Sequence, residues 1–152
     1  MDFIVSLFRS WIMLFVVIFF GGSVYLTPEP IDLHGRYEIV RVKPIEALTA
    51  GASLGIDVSS VIKDYGKGND VWTLSRRVER LIPPGSVEAV LVGDGVEVVL
   101  RYKGHFRYNN TGIWVTLEAD EGVPTGVDFT KVVIDSDVEL KGVRVIWRNY
   151  QL

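Results

Sequence analysis

Hydrophobic positions along the chain follow three patterns. From Trp11 to Leu26 they are continuous, reading WIMLFVVIFFGGSVYL without a charge. Between Asp57 and Ile82 they recur at helical spacing. From Ser86 to Arg148 they alternate with polar residues or cluster in short β-branched runs.

The first pattern predicts a membrane anchor. Residues 3–26 as one helix would measure roughly 36 Å, enough for a hydrocarbon layer of about 30 Å. Arg9 lies near one end, where it can snorkel, and Trp11 and Tyr25 bracket the run as interfacial aromatics do. A cleaved signal peptide is the rival, with Gly21, Gly22 and Ser23 before the cut. The expectation is a retained signal-anchor, 1–26, followed by a stiff juxtamembrane spacer, 27–35, that holds Pro28 and Pro30. The flank from Thr27 to Asp32 lacks a cation. This favours a cytoplasmic N-terminus and an extracytoplasmic domain, 36–152, in a periplasmic or extracellular setting, although counting as far as Lys43 argues the reverse.

The second pattern predicts helices. Asp57 can cap a short one bearing Val58, Val61, Ile62 and Tyr65, with Gly66 to stop it. Asn69 or Asp70 can cap another, Val71 to Ile82, whose apolar stripe is Val71, Leu74, Val78 and Leu81. The stretch from Glu46 to Leu54, rich in Ala, Gly and Ser, fits helix or loop.

The third pattern predicts strands. Arg36 to Val42 is one, ended by Pro44. Val87 to Val92 and Val96 to Tyr102 form a hairpin around Gly93-Asp94-Gly95. Ile113, Val115 and Leu117 alternate with Trp114, Thr116 and Glu118. Phe129 to Asp135 and Val138 to Arg148 follow, the latter with Val143, Val145 and Trp147 on one side. The fold class expected is α+β: an N-terminal transmembrane helix, then a β-rich antiparallel domain with a helical insertion, as a curled sheet, partial barrel or small sandwich.

Composition narrows the chemistry. A net charge of −3 over 152 residues argues against nucleic acid as a partner. The absence of cysteine excludes disulfides and thiolate metal sites. His34 and His105 have no second ligand at metal-binding spacing, and no nucleophile pattern is present, so neither a metal, a cofactor nor a catalytic residue is assigned. Glu118-Ala-Asp120-Glu121 lacks the oxygen spacing of a calcium loop. Gly66-Lys67-Gly68 and Gly93-Asp94-Gly95 read as turns rather than phosphate loops, and Asn109-Asn110-Thr111 is a lone sequon.

One stretch stands out. Arg101, Lys103, His105 and Arg107 interleave with Tyr102, Phe106 and Tyr108, and the predicted helix adds Arg76, Arg77 and Arg80. These cations are the candidate surface for a protein partner or for anionic lipid. The function expected is therefore non-enzymatic: a single-pass, membrane-anchored structural or accessory subunit docking on a membrane, envelope or virion component by protein–protein interaction. A viral membrane protein fits equally. The alternative is a binder of lipid or another small amphiphile in a curled β-sheet.

Overall fold

The computed structural model describes residues 23–63 and 70–149. Within them the alternating segments assemble into one seven-stranded sheet. Its strands are β1 (Ser23–Tyr25), β2 (Ile31–Ile45), β3 (Ser53–Asp57), β4 (Val87–Gly93), β5 (Val96–Asn109), β6 (Gly112–Glu118) and β7 (Phe129–Arg148). A single helix, α1 (Val71–Leu81), lies between β3 and β4 among the described residues.

Five strands form a closed ring in the order β7–β3–β6–β5–β4, with β4 returning to β7. Every neighbour in the ring is antiparallel. Straight strands cannot close such a ring, because direction alternates at each step and an odd number leaves one parallel pair. The ring closes because β7 serves as two segments. Residues 131–136 pair with β4, and residues 144–148 pair with β3. Between them the register against β2 shifts twice, and Gly142 takes φ +69. Strands β1 and β2 lie along β7 as additional partners.

Inward side chains fill the barrel. Leu54, Ile56, Val115, Leu117, Val145 and Trp147 meet across β3, β6 and β7. Ala89, Leu91, Leu100, Val132 and Ile134 meet across β4, β5 and β7, and all are buried. A five-stranded ring has room for these side chains and little more. Helix α1 adds Leu74 and Val78 to the same core. Asp70 caps it: its carboxylate accepts from the Thr73 N–H at 2.7 Å. The same bond holds the Asp70 carboxyl below the usual carboxylate range.

Several expectations are corrected. The fold is a mostly β closed barrel with one short helix, not α+β with a transmembrane helix. No helix of the described residues is long and apolar enough to cross a membrane. The end of the predicted anchor, Ser23 to Tyr25, is strand β1, its backbone paired to Ile146–Arg148, so it cannot continue a helix. Leu26 is buried in the core, and its N–H donates to the Val145 carbonyl. The single-pass, signal-anchor reading and the localisation built on it fall with this finding. Residues 3–22 of that segment lie outside the described residues.

The predicted spacer also joins the sheet, since Ile31, Leu33 and Gly35 pair with β7 and the Thr27 hydroxyl accepts from the Val145 N–H. The short helix expected after Asp57 is replaced by a turn over 59–63. Asp57 accepts from the N–H of Ser59, two residues on, and so turns the chain instead of starting a helix. Tyr65 and Gly66 lie outside the described residues. The two strands expected at 129–135 and 138–148 are one.

Candidate functional site

The ring's inward positions are mostly apolar, with Tyr102 and Ser136 as buried polar exceptions, and the outward face carries most of the charged and aromatic side chains considered next. Across β5, β6, β3 and β7 the register aligns Arg107 with Trp114, Trp114 with Asp57, and Asp57 with Arg144. The next row holds Thr116, Gly55, Ile146 and, on β1, Tyr25; in a third, Ser53 stands opposite Arg148. Antiparallel partners project to the same side, so these side chains form one surface.

Gly55 is the centre of that surface. With no side chain there, Arg148 crosses the strand: a Cβ on Gly55 would lie 3.6 Å from the Arg148 Nε. The guanidinium reaches the ring of Trp114, its carbon 5.5 Å from the centroid. Arg144 sits over Tyr25 in the same way, at 5.8 Å. Burial and then the neighbouring charge of Arg107 lower the affinity of Arg148 for its proton. Among the described residues none of Arg107, Arg144 and Arg148 has a carboxylate partner.

Polar groups of the same face are also unmatched. Ser53 Oγ, Thr116 Oγ1 and Trp114 Nε1 are buried with no hydrogen-bond partner. Of the carboxylates on this face, Asp57 accepts from both the N–H and the hydroxyl of Ser59, and Glu118 faces His105.

The sequence-predicted cations are placed differently from one another. Arg101 pairs with Asp120 at 2.9 Å and with Glu88 at 3.6 Å, and Lys103 pairs with Asp120 as well. Lys103 and then Arg101 hold the Asp120 carboxyl below its ordinary range. His105 Nδ1 lies 3.4 Å from Glu118. Only Arg107 of that strand is free of an acid among the described residues. On α1, Arg76 stacks over Trp72 at 4.8 Å, Arg77 donates to the Lys63 carbonyl at 2.5 Å, and Arg80 stands in the last turn. No ion pair or hydrogen bond joins these helix cations to the strand residues Arg101 to Arg107 among the described residues.

Sequence reasoning missed Arg148, Arg144, Ser53 and Tyr25 as parts of the surface. Alternation on β6 and β7 did place Trp114, Thr116 and the arginines opposite the apolar face. The missing element was β3, whose Ser-Leu-Gly-Ile-Asp gives no strand signal of its own.

No cluster of three or more metal-ligating side chains occurs among the described residues. No protein-family model, curated protein or solved structure matches the chain.

Proposed function

We propose that the domain is a non-catalytic interaction module whose outward β5–β6–β3–β7 face docks on an acidic surface of another protein. The observation that carries this reading is the set of Arg107, Arg144 and Arg148, interleaved with Trp114 and Tyr25 and unmatched by any acid among the described residues. Tryptophan, tyrosine and arginine are the residues that dominate protein interfaces. The chain as a whole is acidic, at −3, so attraction to a bilayer or to nucleic acid lacks the necessary excess of charge. Recognition by a local, shaped cationic face suits a folded protein partner better.

A catalytic reading has less support. His105 is exposed and faces Glu118, and no hydrogen bond joins it to a hydroxyl among the described residues. The Ser59 hydroxyl donates to Asp57 and accepts from the Ile113 N–H, which makes it a turn fastener. An amphiphile in the barrel is disfavoured by the buried side chains that fill it. A groove of about 390 Å³ beside Leu26, Ile31, Tyr37 and Ile39 keeps a surface version of that reading as the second choice.

The test compares wild type with Arg107→Glu/Arg144→Glu for binding to polyglutamate, phosphatidylserine vesicles and duplex DNA at low and high salt. The expected result is polyglutamate binding that weakens with salt and is lost in the variant. Equal binding by the variant, or a preference for vesicles or DNA, would overturn the proposal.

A further inference from the structure

The unmatched polar atoms of the outward face are not scattered. Of the four buried side-chain N and O atoms without a partner among the described residues, three lie here: Ser53 Oγ, Thr116 Oγ1 and Trp114 Nε1. Ser53 is 1% exposed and Thr116 2%. A buried hydroxyl without a partner costs free energy, and native proteins leave few of them. Ser53 pairs with Arg148, Thr116 pairs with Gly55, and Arg148 passes over Gly55 to Trp114. The half-buried guanidinium of Arg148 makes no hydrogen bond of its own among the described residues. The Arg148 guanidinium beside Gly55 and the hydroxyls of Ser53 and Thr116 on the same face thus offer donors that no acceptor of the chain engages among the described residues.

We infer that Arg148, Ser53 and Thr116 form a subsite for a single oxyanion, a carboxylate side chain presented by the docking partner. This inference rests on the docking reading above. The guanidinium fork matches a carboxylate edge on, and the two hydroxyls supply further donors to its oxygens. Gly55 leaves the space through which the acid approaches. Arg148 lifts from the glycine at little cost, since it breaks no hydrogen bond among the described residues, and turns its fork toward the acid. The indole of Trp114 remains as the wall on which the ion pair rests.

Phosphate shares this chemistry, so the experiment separates the two. The full chain, labelled with nitrogen-15, is titrated with glutarate, with inorganic phosphate and with sodium chloride at matched ionic strength. The Trp114 indole N–H and the amides of Ser53 and Thr116 should shift saturably with glutarate and not with chloride. Arg148→Gln should weaken the glutarate response roughly tenfold to a hundredfold, the worth of one charge-assisted contact. Arg148→Lys keeps the charge without the fork and should recover only part of it. Thr116→Val should fall between wild type and Arg148→Gln.

Shifts that match those of chloride, or that persist unchanged in both Arg148 variants, would overturn the subsite. Saturation by phosphate but not glutarate would overturn the carboxylate assignment. If polyglutamate binds and is lost in Arg107→Glu/Arg144→Glu while glutarate leaves Trp114 unmoved, the subsite fails and the docking reading stands. If glutarate binds as expected but polyglutamate does not, the subsite stands and the docking reading fails.

Discussion

Arg148 lies over the ring of Trp114, 5.5 Å from guanidinium carbon to ring centroid, although the two residues are on strands separated by β3. The contact exists because Gly55, the residue between them, has no side chain to block it. A cation that would point to water is instead laid along the sheet and half-buried. From this relationship follows a first prediction. Gly55→Ala should be tolerated, since its Cβ would meet the Arg148 Nε at an ordinary 3.6 Å. Gly55→Leu should displace the guanidinium and abolish polyglutamate binding while the fold persists, as checked by the Trp114 indole resonance and circular dichroism.

The buried hydroxyls make a prediction about stability. Thr116→Val removes a buried, unpartnered oxygen and keeps the shape of the side chain. The variant should be more stable by about 1 kcal/mol, because the desolvation cost disappears and no hydrogen bond is lost. Urea unfolding would read this as a higher midpoint at unchanged slope. A lower midpoint would mean that the hydroxyl has a partner.

Barrel closure rests on a close approach at Gly93. A Cβ there would stand 2.0 Å from the Asp128 carbonyl oxygen and 2.7 Å from the Phe129 Cα, both backbone. Gly93→Ala must push the start of β7 away from the end of β4. A loss of about 3 kcal/mol is expected, the upper range for overpacking. The neighbouring Gly95 has φ +72 and open space around it, so Gly95→Ala should cost less, about 1 kcal/mol of backbone strain. Thermal unfolding of the two variants side by side checks the order.

Alkaline pH should weaken the fold through Tyr102. Burial, and secondarily the charge of Glu79, push its phenol up to about 12. The folded chain then keeps a proton that the unfolded chain releases near its ordinary value of about 10. The contribution is fully present below about pH 10 and is lost as pH rises toward 12, by up to about 1.4 kcal/mol per pH unit. Tyr102→Phe should flatten that fall, measured as urea midpoints between pH 9 and 11. An unchanged slope would show that Tyr102 ionises freely in the folded state.

What was legible in the sequence was local. Asp70 and the spacing of Leu74 and Val78 announced α1, and the structure buries those two residues. Gly93-Asp94-Gly95 announced the hairpin; Asp94 at φ 49 and Gly95 at φ +72 supply its left-handed turn. Alternation on β6 separated Ile113, Val115 and Leu117, which are buried without exposure, from the Trp114 side. Each of these signals is carried by a few adjacent side chains acting on their own backbone.

The apolar run through Leu26 misled for the same reason. A stretch of Val, Tyr and Leu satisfies membrane, helix and buried strand alike, and only the partner decides. Here Ser23–Tyr25 found the end of β7, which satisfies its backbone and removes it from any helix.

On α1, β6 and the end of β7 the sequence by itself determined which positions face the core, because there the hydrophobic period alone separates the two sides. The tertiary structure alone decided that the ring closes, that β7 is shared as two segments, and that Ser53, Thr116, Trp114 and Arg148 share one face around the strand of Gly55. Those residues come from three strands up to 95 positions apart (148 − 53), and nothing local couples them. Their meeting is fixed by the pairing of β3 between β6 and β7, a long-range register that side-chain burial sets only when the whole barrel forms.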